Sequence, residues 1–252
     1  MAPILQSAAP KEWSLDQRRF GRLYSPDPRD ADHPMETALR QMSDVDLKRR
    51  RQSPAHGPTL DQGATPRCVM YSAATALGAA PITYKHNPLA IVQTPVTEGI
   101  LVYPDLYDWA QHHDEWPGTD YDGTSVRAGQ EYLKLIGRSS SYVWARSLDE
   151  AKDYISRAGS APIILGIDWL DKMSTPRKAG AHYWIEPDGP VVGGHAICCL
   201  WYDKRIGGWK LQNSWGTEWG DKGIVYLADD DFNYLVFQAN GEAVSFVEQP
   251  MG

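Results

Sequence analysis

Cysteine is scarce in this chain: 252 residues hold three, Cys68, Cys198 and Cys199. An odd, small number makes no disulfide framework, and a bridge between the neighbours Cys198 and Cys199 would be strained. That pair reads as two small buried hydrophobes on a strand, and the low usage suits a reducing compartment. Long apolar runs are missing as well: nothing approaches the roughly 20 residues of a membrane span. The first ten residues have neither the basic start nor the apolar core of a signal peptide. The expected location is cytoplasmic or virion-associated, without export through a signal peptide and without a membrane partner. A basic excess is also absent. Lys and Arg number 25 against 32 Asp and Glu, a formal net charge of −7, which excludes a general nucleic-acid binder. His33, His56, His86, His112, His113 and His182 fall at no metal-ligand spacing, so neither a metal nor a cofactor is expected. There is no internal repeat and no low-complexity tract.

What is present is a globular composition, 42% hydrophobic and 23% charged, in a chain long enough to be stable without disulfides or metal. Residues 1–57 stand apart as an arm rich in Pro, Asp and Arg. One short helix is predicted near 34–47, with Met35, Leu39 and Met42 on one face. It runs into Lys48-Arg49-Arg50-Arg51, which reads as a solvated helix end, a processing site or a partner contact. Thr65 as N-cap and Pro66 in the first turn predict a helix ending near Gly78. Further helices are predicted from Pro104 through His112, from Ser125 to Ile136 with Gly137 closing it, and from the Ser147-Leu148-Asp149-Glu150 capping box to Gly159. The pattern then turns to strands at 162–168, 182–186, 195–202, 208–212, 223–227 and 243–247. Helices first and strands second predict an α+β protein of two lobes.

Three residues far apart carry a chemical pattern. Cys68 falls in the first turn of its predicted helix, where free N–H groups, the positive helix end and Arg67 favour a thiolate of depressed pKa. His195 follows Gly193-Gly194 and opens a strand; Asn213 ends another. They lie 127 and 145 positions beyond Cys68 (at 195 and 213), and the three residue types are those of a thiol nucleophile, its acid/base and an orienting amide. A thiolate attacks a carbonyl carbon, an imidazolium protonates the leaving amine, and an amide oxygen fixes the imidazole tautomer. Gln62, six residues before Cys68, can donate to a developing oxyanion beside the Cys68 N–H.

Three segments carry a resemblance to the papain-family cysteine proteases: Asp61-Gln62-Gly63-Ala64-Thr65-Pro66-Arg67-Cys68, Gly193-Gly194-His195-Ala196-Ile197, and Asn213-Ser214-Trp215-Gly216-Thr217-Glu218-Trp219-Gly220. Asp122-Gly123-Thr124-Ser125-Val126-Arg127 also resembles the cleft loop and helix of bacterial and phage-like members. The resemblance covers about residues 58–230. It implies a papain-like two-lobe fold in residues 58–252, a helical lobe and an antiparallel, barrel-like β lobe with the active-site cleft between them. By position it makes Cys68 the nucleophile, His195 the acid/base, Asn213 the orienting amide and Gln62 the oxyanion donor. Trp215 would shield the His195–Asn213 bond, and Pro66, Arg67, Asp122, Gly123 and Gly194 would border substrate. The family's first cysteine in this stretch is absent, Pro66 replaces a cleft glycine, and Val69 replaces a tryptophan.

The implied activity is a thiol-dependent endopeptidase or isopeptidase acting on a peptide or protein substrate. Two alternatives use the same residues or fold: acyl transfer to an amine, and a structural or binding component of a larger assembly such as a phage particle. Residues 1–57 are short and polar and match no inhibitory propeptide pattern. The arm is therefore expected to pack along the body, or to meet a protein assembly partner, and to leave an open cleft.

Overall fold

The computed structural model describes residues 20–42, 53, 56–79, 95–96, 99–100 and 104–248. The Lys48–Arg51 run, the far end of the helix predicted at 34–47, and His86 lie outside the described residues.

The described helices are α1 (Met35–Gln41), α2 (Cys68–Leu77), α3 (Pro104–His113), α4 (Val126–Leu135), α5 (Leu148–Ile155) and α6 (Asp229–Asn233). A two-stranded ribbon joins β1 (Pro95–Val96) to β2 (Gly99–Ile100). The body is one eight-stranded sheet in the order β3-β10-β4-β7-β8-β9-β6-β5. Its strands are β3 (Ser139–Trp144), β4 (Ile163–Leu170), β5 (Arg177–Ala179), β6 (His182–Trp184), β7 (Val191–Asp203), β8 (Gly208–Gln212), β9 (Ile224–Ala228) and β10 (Glu242–Glu248). Neighbours run antiparallel except β6 and β9, which are parallel. This is the α+β architecture expected of a chain with helices first and strands second.

Strands β4 and β7 are covered on both faces, which is why their sequences are nearly continuous apolar runs. Side chains alternate across a strand, so Ile197 and Cys199 join one core with Trp169, Trp209 and Trp219, while Ala196, Cys198 and Leu200 join the other beneath α2, α3 and α4. Cys198 and Cys199 are fully buried and unbridged, as the strand reading expected. The Ala73 and Ala76 positions of α2 let that helix lie close on β7, bringing its first residue to the strand that carries His195.

Local signals explain where elements start. Ser125 caps α4 by accepting from the Ala128 N–H, and Gly137 follows that helix at φ 69°. Ser147 caps α5, but Glu150 does not complete the expected reciprocal box. Its carboxylate accepts instead from the N–H groups of Arg146 and Glu36 (both 2.7 Å), tying the arm helix α1 to the body. Helix α5 stops at Ile155, four residues short of Gly159, with Ser156 as C-cap. Helix α2 begins at Cys68, with Arg67 in the cap position. Thr65 cannot cap it: its hydroxyl donates to the Gln62 carbonyl (2.6 Å) and its own carbonyl accepts from Gln62 Nε2 (2.8 Å). Strand β3 escaped the sequence reading because it opens on three serines; the Tyr142-Val143-Trp144 end alone carries the apolar signal.

Candidate active site

Cys68 opens α2 and is fully buried. The Ala196 N–H, next in sequence to His195, donates to Cys68 Sγ at 3.4 Å, so the helix end and the strand β7 meet at the sulfur. His195 Nε2 lies 2.8 Å from Asn213 Oδ1. The same oxygen accepts from the Ser214 N–H at 2.8 Å, which fixes the amide with its carbonyl toward the imidazole. An acceptor there requires a proton on Nε2, so Nδ1 is the nitrogen available for proton exchange. The His195 ring is enclosed by Trp169 and Trp215, with centroids 4.8 and 4.9 Å away. These rings keep water from the His195–Asn213 bond, in a site where Asn213 is fully buried.

Gln62 is fixed at both ends. Its Oε1 accepts from the Ser214 hydroxyl (2.7 Å), its Nε2 donates to the Thr65 carbonyl (2.8 Å), and its N–H donates to the Ser214 carbonyl (2.8 Å). The Nε2 group carries a second hydrogen beyond the Thr65 bond. Arg67 lays its guanidinium over the Tyr107 ring at 5.1 Å from the centroid. Tyr107 in turn accepts through its hydroxyl from the Gly123 N–H at 2.8 Å. Asp122 is exposed. Among the described residues no three His, Cys, Asp or Glu side chains gather as a metal site, and no helix is long and apolar enough to cross a membrane.

The cleft is not open. Residues 20–24 of the arm run through it, which overturns the expectation that the arm stays clear. The Arg22 N–H donates to the Gly194 carbonyl (3.0 Å), the Leu23 N–H to the Thr124 carbonyl (3.0 Å), and the Thr124 N–H to the Gly21 carbonyl (2.9 Å). This is a parallel bridge of Arg22 with Thr124. The fit is made by glycines. A Cβ on Gly194 would meet the Arg22 carbonyl oxygen at 2.1 Å, one on Gly193 the Phe20 ring at 2.6 Å, and one on Gly123 the Gly21 carbonyl oxygen at 2.6 Å. Gly21 in its turn packs on the backbone of Pro66. Phe20 sits edge-on to His195 and Trp215, at 6.1 and 6.0 Å between centroids. Pro66, Gly123, Gly194 and Trp215 thus all lie against the arm, and the arm residues Phe20, Gly21 and Arg22 are what the sequence reading missed. The isolated Gly21, in an otherwise polar arm, was the available signal of close backbone approach.

Arm closure also reverses the expected state of the thiol. Burial pushes the Cys68 pKa up to about 11, and the N–H groups of Ala196, Gly21 and Val69 lower it only in part. The helix end and Arg67 do not prevail because desolvation of the sulfur is the larger effect. Gly21 offers the sulfur an N–H, while its carbonyl is held by Thr124, so the arm is not seated as an acyl donor.

Further along, Arg127 holds the arm. Its guanidinium pairs with Asp30, lies 3.6 Å from a carboxylate oxygen of Asp27 and the same distance from one of Glu115, and donates to the Tyr142 hydroxyl at 3.1 Å. The His33 carbonyl then accepts from the Trp144 N–H at 2.7 Å, carrying the arm along the edge of β3.

No family model matches the chain. It is 23% identical over 210 residues to Peptidase 1 of Dermatophagoides pteronyssinus, covering 74% of this chain and 61% of that protein. It is 22% identical over 135 residues to an uncharacterized peptidase C1-like protein of Acanthamoeba polyphaga mimivirus, covering 50% of this chain and 42% of that one. Cathepsin K of Gallus gallus is 35% identical over 79 residues, 31% of this chain and 23% of that protein. The chain thus spans less than two thirds of the length of these curated relatives. Among solved structures, xylellain, a cysteine protease from Xylella fastidiosa, superposes with a TM-score of 0.58 at 16% identity, covering 93% of this chain and 98% of that one. Procathepsin B S9 from Trypanosoma congolense gives 0.57 at 13% identity, covering 92% and 87%. The chain therefore has the fold of the papain-like cysteine proteases.

Proposed function

We propose that the chain is a thiol peptidase that hydrolyses peptide or isopeptide bonds through Cys68, His195 and Asn213, and that the form described is its latent form. The observation that carries this reading is the His195–Asn213 hydrogen bond on the strand whose next N–H donates to Cys68 Sγ. In the first half-reaction the Cys68 thiol gives its proton to His195 Nδ1, and the thiolate attacks the scissile carbonyl carbon. Negative charge gathers on the carbonyl oxygen, where the Cys68 N–H and the second Gln62 Nε2 hydrogen stabilise it. The tetrahedral species collapses, the C–N bond breaks, and His195 Nδ1 gives its proton to the leaving amine, leaving a thioester. In the second half-reaction His195 Nδ1 takes a proton from water, the hydroxide attacks the thioester carbonyl, and the bond between the acyl carbon and Cys68 Sγ breaks, releasing the acid and restoring the thiolate. Asn213 holds the imidazole in the tautomer that both steps need.

The chemistry requires the arm to leave. While it is seated, the sulfur is a buried thiol facing an amide N–H, so it neither ionises at neutral pH nor meets a carbonyl carbon. The Asp122–Arg127 stretch supports a place beside bacterial and phage-like members. The direct test is rapid acid quenching of an arm-released Gly21→Ala chain with an ester or peptide substrate, followed by mass measurement. A thioester on the tryptic peptide containing Cys68 is expected. Turnover without an acyl adduct on Cys68, and undiminished by Cys68→Ala, would overturn the reading.

A further inference from the structure

The arm places one cationic side chain inside the cleft, and the pocket receiving it belongs to the body. Arg22 is 1% exposed in its side chain. Its Nε donates to Glu242 Oε1 at 3.0 Å, and its Nη1 is 3.8 Å from Asp168 Oδ1. Glu242 opens β10 and Asp168 lies on β4, paired in register with Gly194, the residue before His195. Asn240 Nδ2 donates to Asp168 Oδ2 at 3.1 Å, which turns the other carboxylate oxygen toward Arg22. The depth of the pocket comes from a missing side chain. A Cβ on Gly166, opposite Glu242, would lie 2.6 Å from Glu242 Oε1 and 2.9 Å from Arg22 Nε. Burial pushes the Glu242 carboxyl up from its usual range, and the Arg22 charge opposes that shift. A carboxylate set this deep beside a second one is costly unless a cation joins them.

The position matters as much as the charge. Arg22 directly follows Gly21, whose N–H points at Cys68 Sγ, and its own N–H is held by Gly194. The pocket is therefore within one or two residues of the reacting sulfur along any chain laid in the cleft. We propose that Glu242 and Asp168 form a subsite of the cleft that selects an arginine side chain close to the scissile bond of the substrate, and that Arg22 is its internal occupant in the latent form. This rests on the peptidase reading. Arginine is favoured over lysine because two separate nitrogens of one planar fork reach two carboxylates, which a single ammonium group cannot match.

The test uses the full chain with both Gly21→Ala and Arg22→Ala, so that the arm is released and the pocket lacks its own occupant. Peptides identical except for Arg, Lys, Leu or Gln at each of two positions on either side of a fixed bond are compared by hydrolysis rate. In parallel, each is compared for protection of Cys68 against iodoacetamide. At one position Arg is expected to exceed Leu and Gln by about tenfold or more, as for a charge-assisted hydrogen bond, with Lys between. Glu242→Gln and, independently, Asp168→Asn should each narrow that preference while Leu peptides change little; the second variant serves if the first fails to fold. Hydrolysis with no preference for Arg, or a preference that neither variant narrows, overturns the subsite and leaves the peptidase reading standing. Protection by Arg peptides without hydrolysis of any peptide supports the subsite and counts against the peptidase. Neither hydrolysis nor selective protection overturns both.

Discussion

Gly21 and Pro66 are in such close backbone contact that a methyl group on Gly21 would lie 1.9 Å from the Pro66 carbonyl oxygen. The obstacle is backbone next to the nucleophile, so it cannot move aside as a flexible side chain would. Gly21→Ala should therefore displace the arm while altering nothing on the body. Overpacking of about 1–3 kcal/mol corresponds to roughly 5- to 150-fold in the open population. Alkylation of Cys68 by iodoacetamide at pH 7, read by mass spectrometry, should rise by that factor. An unchanged rate would contradict the account of closure.

The pH profile of the same reaction has an expected sign. Burial raises the Cys68 pKa to about 11 in the closed form, so the neutral thiol prevails below that pH and alkylation of the intact chain should climb only as pH nears 11. In the Gly21→Ala chain the sulfur is solvated beside His195 and the start of α2, which favour the thiolate. The climb should move to lower pH, and a further His195→Ala change should move it back up. A profile that is the same in all three chains would contradict this.

Asn213→Ala, in the arm-released chain, removes the acceptor that fixes the imidazole tautomer. The fall in kcat should be about tenfold or more but smaller than the 10²–10⁴ that proton transfer by a positioned side chain supplies. KM should change little. His195→Ala should cost the larger amount, and the reverse order would contradict the roles assigned.

Arg127→Gln tests the second anchor of the arm. Asp27 is held well below the usual carboxylate range, first by hydrogen bonds from Arg29 and then by the Arg127 charge. A depressed carboxyl contributes stability above about pH 4, its unfolded value, and loses it only as pH falls through the lower native value. The arm should thus remain seated from pH 7 to 5 in the native chain, whereas Arg127→Gln should speed amide hydrogen exchange at residues 24–33 at pH 7. Equal exchange in the two chains would contradict an anchoring role.

Trp215 is 2% exposed and packs on His195, Trp169 and Trp219. Trp215→Ala should cost about 3–5 kcal/mol in urea unfolding. A loss under 1 kcal/mol would show that the ring is not part of the core.

How much of this was legible in sequence follows from how local each signal is. Cys68 and Asn213 could be singled out because one starts α2 and the other directly follows β8; His195, expected to open its strand, is the fifth residue of β7 (Val191–Asp203) and was marked instead by the Gly193-Gly194 pair before it. Ser125 and Ser147 announced their helices because a cap acts over three residues. Thr65 misled for the same reason: its hydroxyl had an equally local partner in Gln62. The arm's course was hidden because its contacts are long-range. Arg22 meets Glu242 across 220 positions of sequence, and nothing in a short polar segment tells whether it lies on the surface or in the cleft. The depressed thiol pKa expected at a helix start was a correct local argument, overturned by desolvation under a segment 47 positions earlier, Gly21 against Cys68.

The central claim is that Cys68, once uncovered, cleaves peptide bonds with His195. It is tested most directly by incubating an unfolded protein substrate with the Gly21→Ala chain and with Gly21→Ala, Cys68→Ala, and counting new amino termini over time. The account expects steady release of amino termini by the first and none above background by the second. If the Gly21→Ala chain has a Cys68 that iodoacetamide alkylates rapidly at pH 7, yet it releases no amino termini, the claim is contradicted.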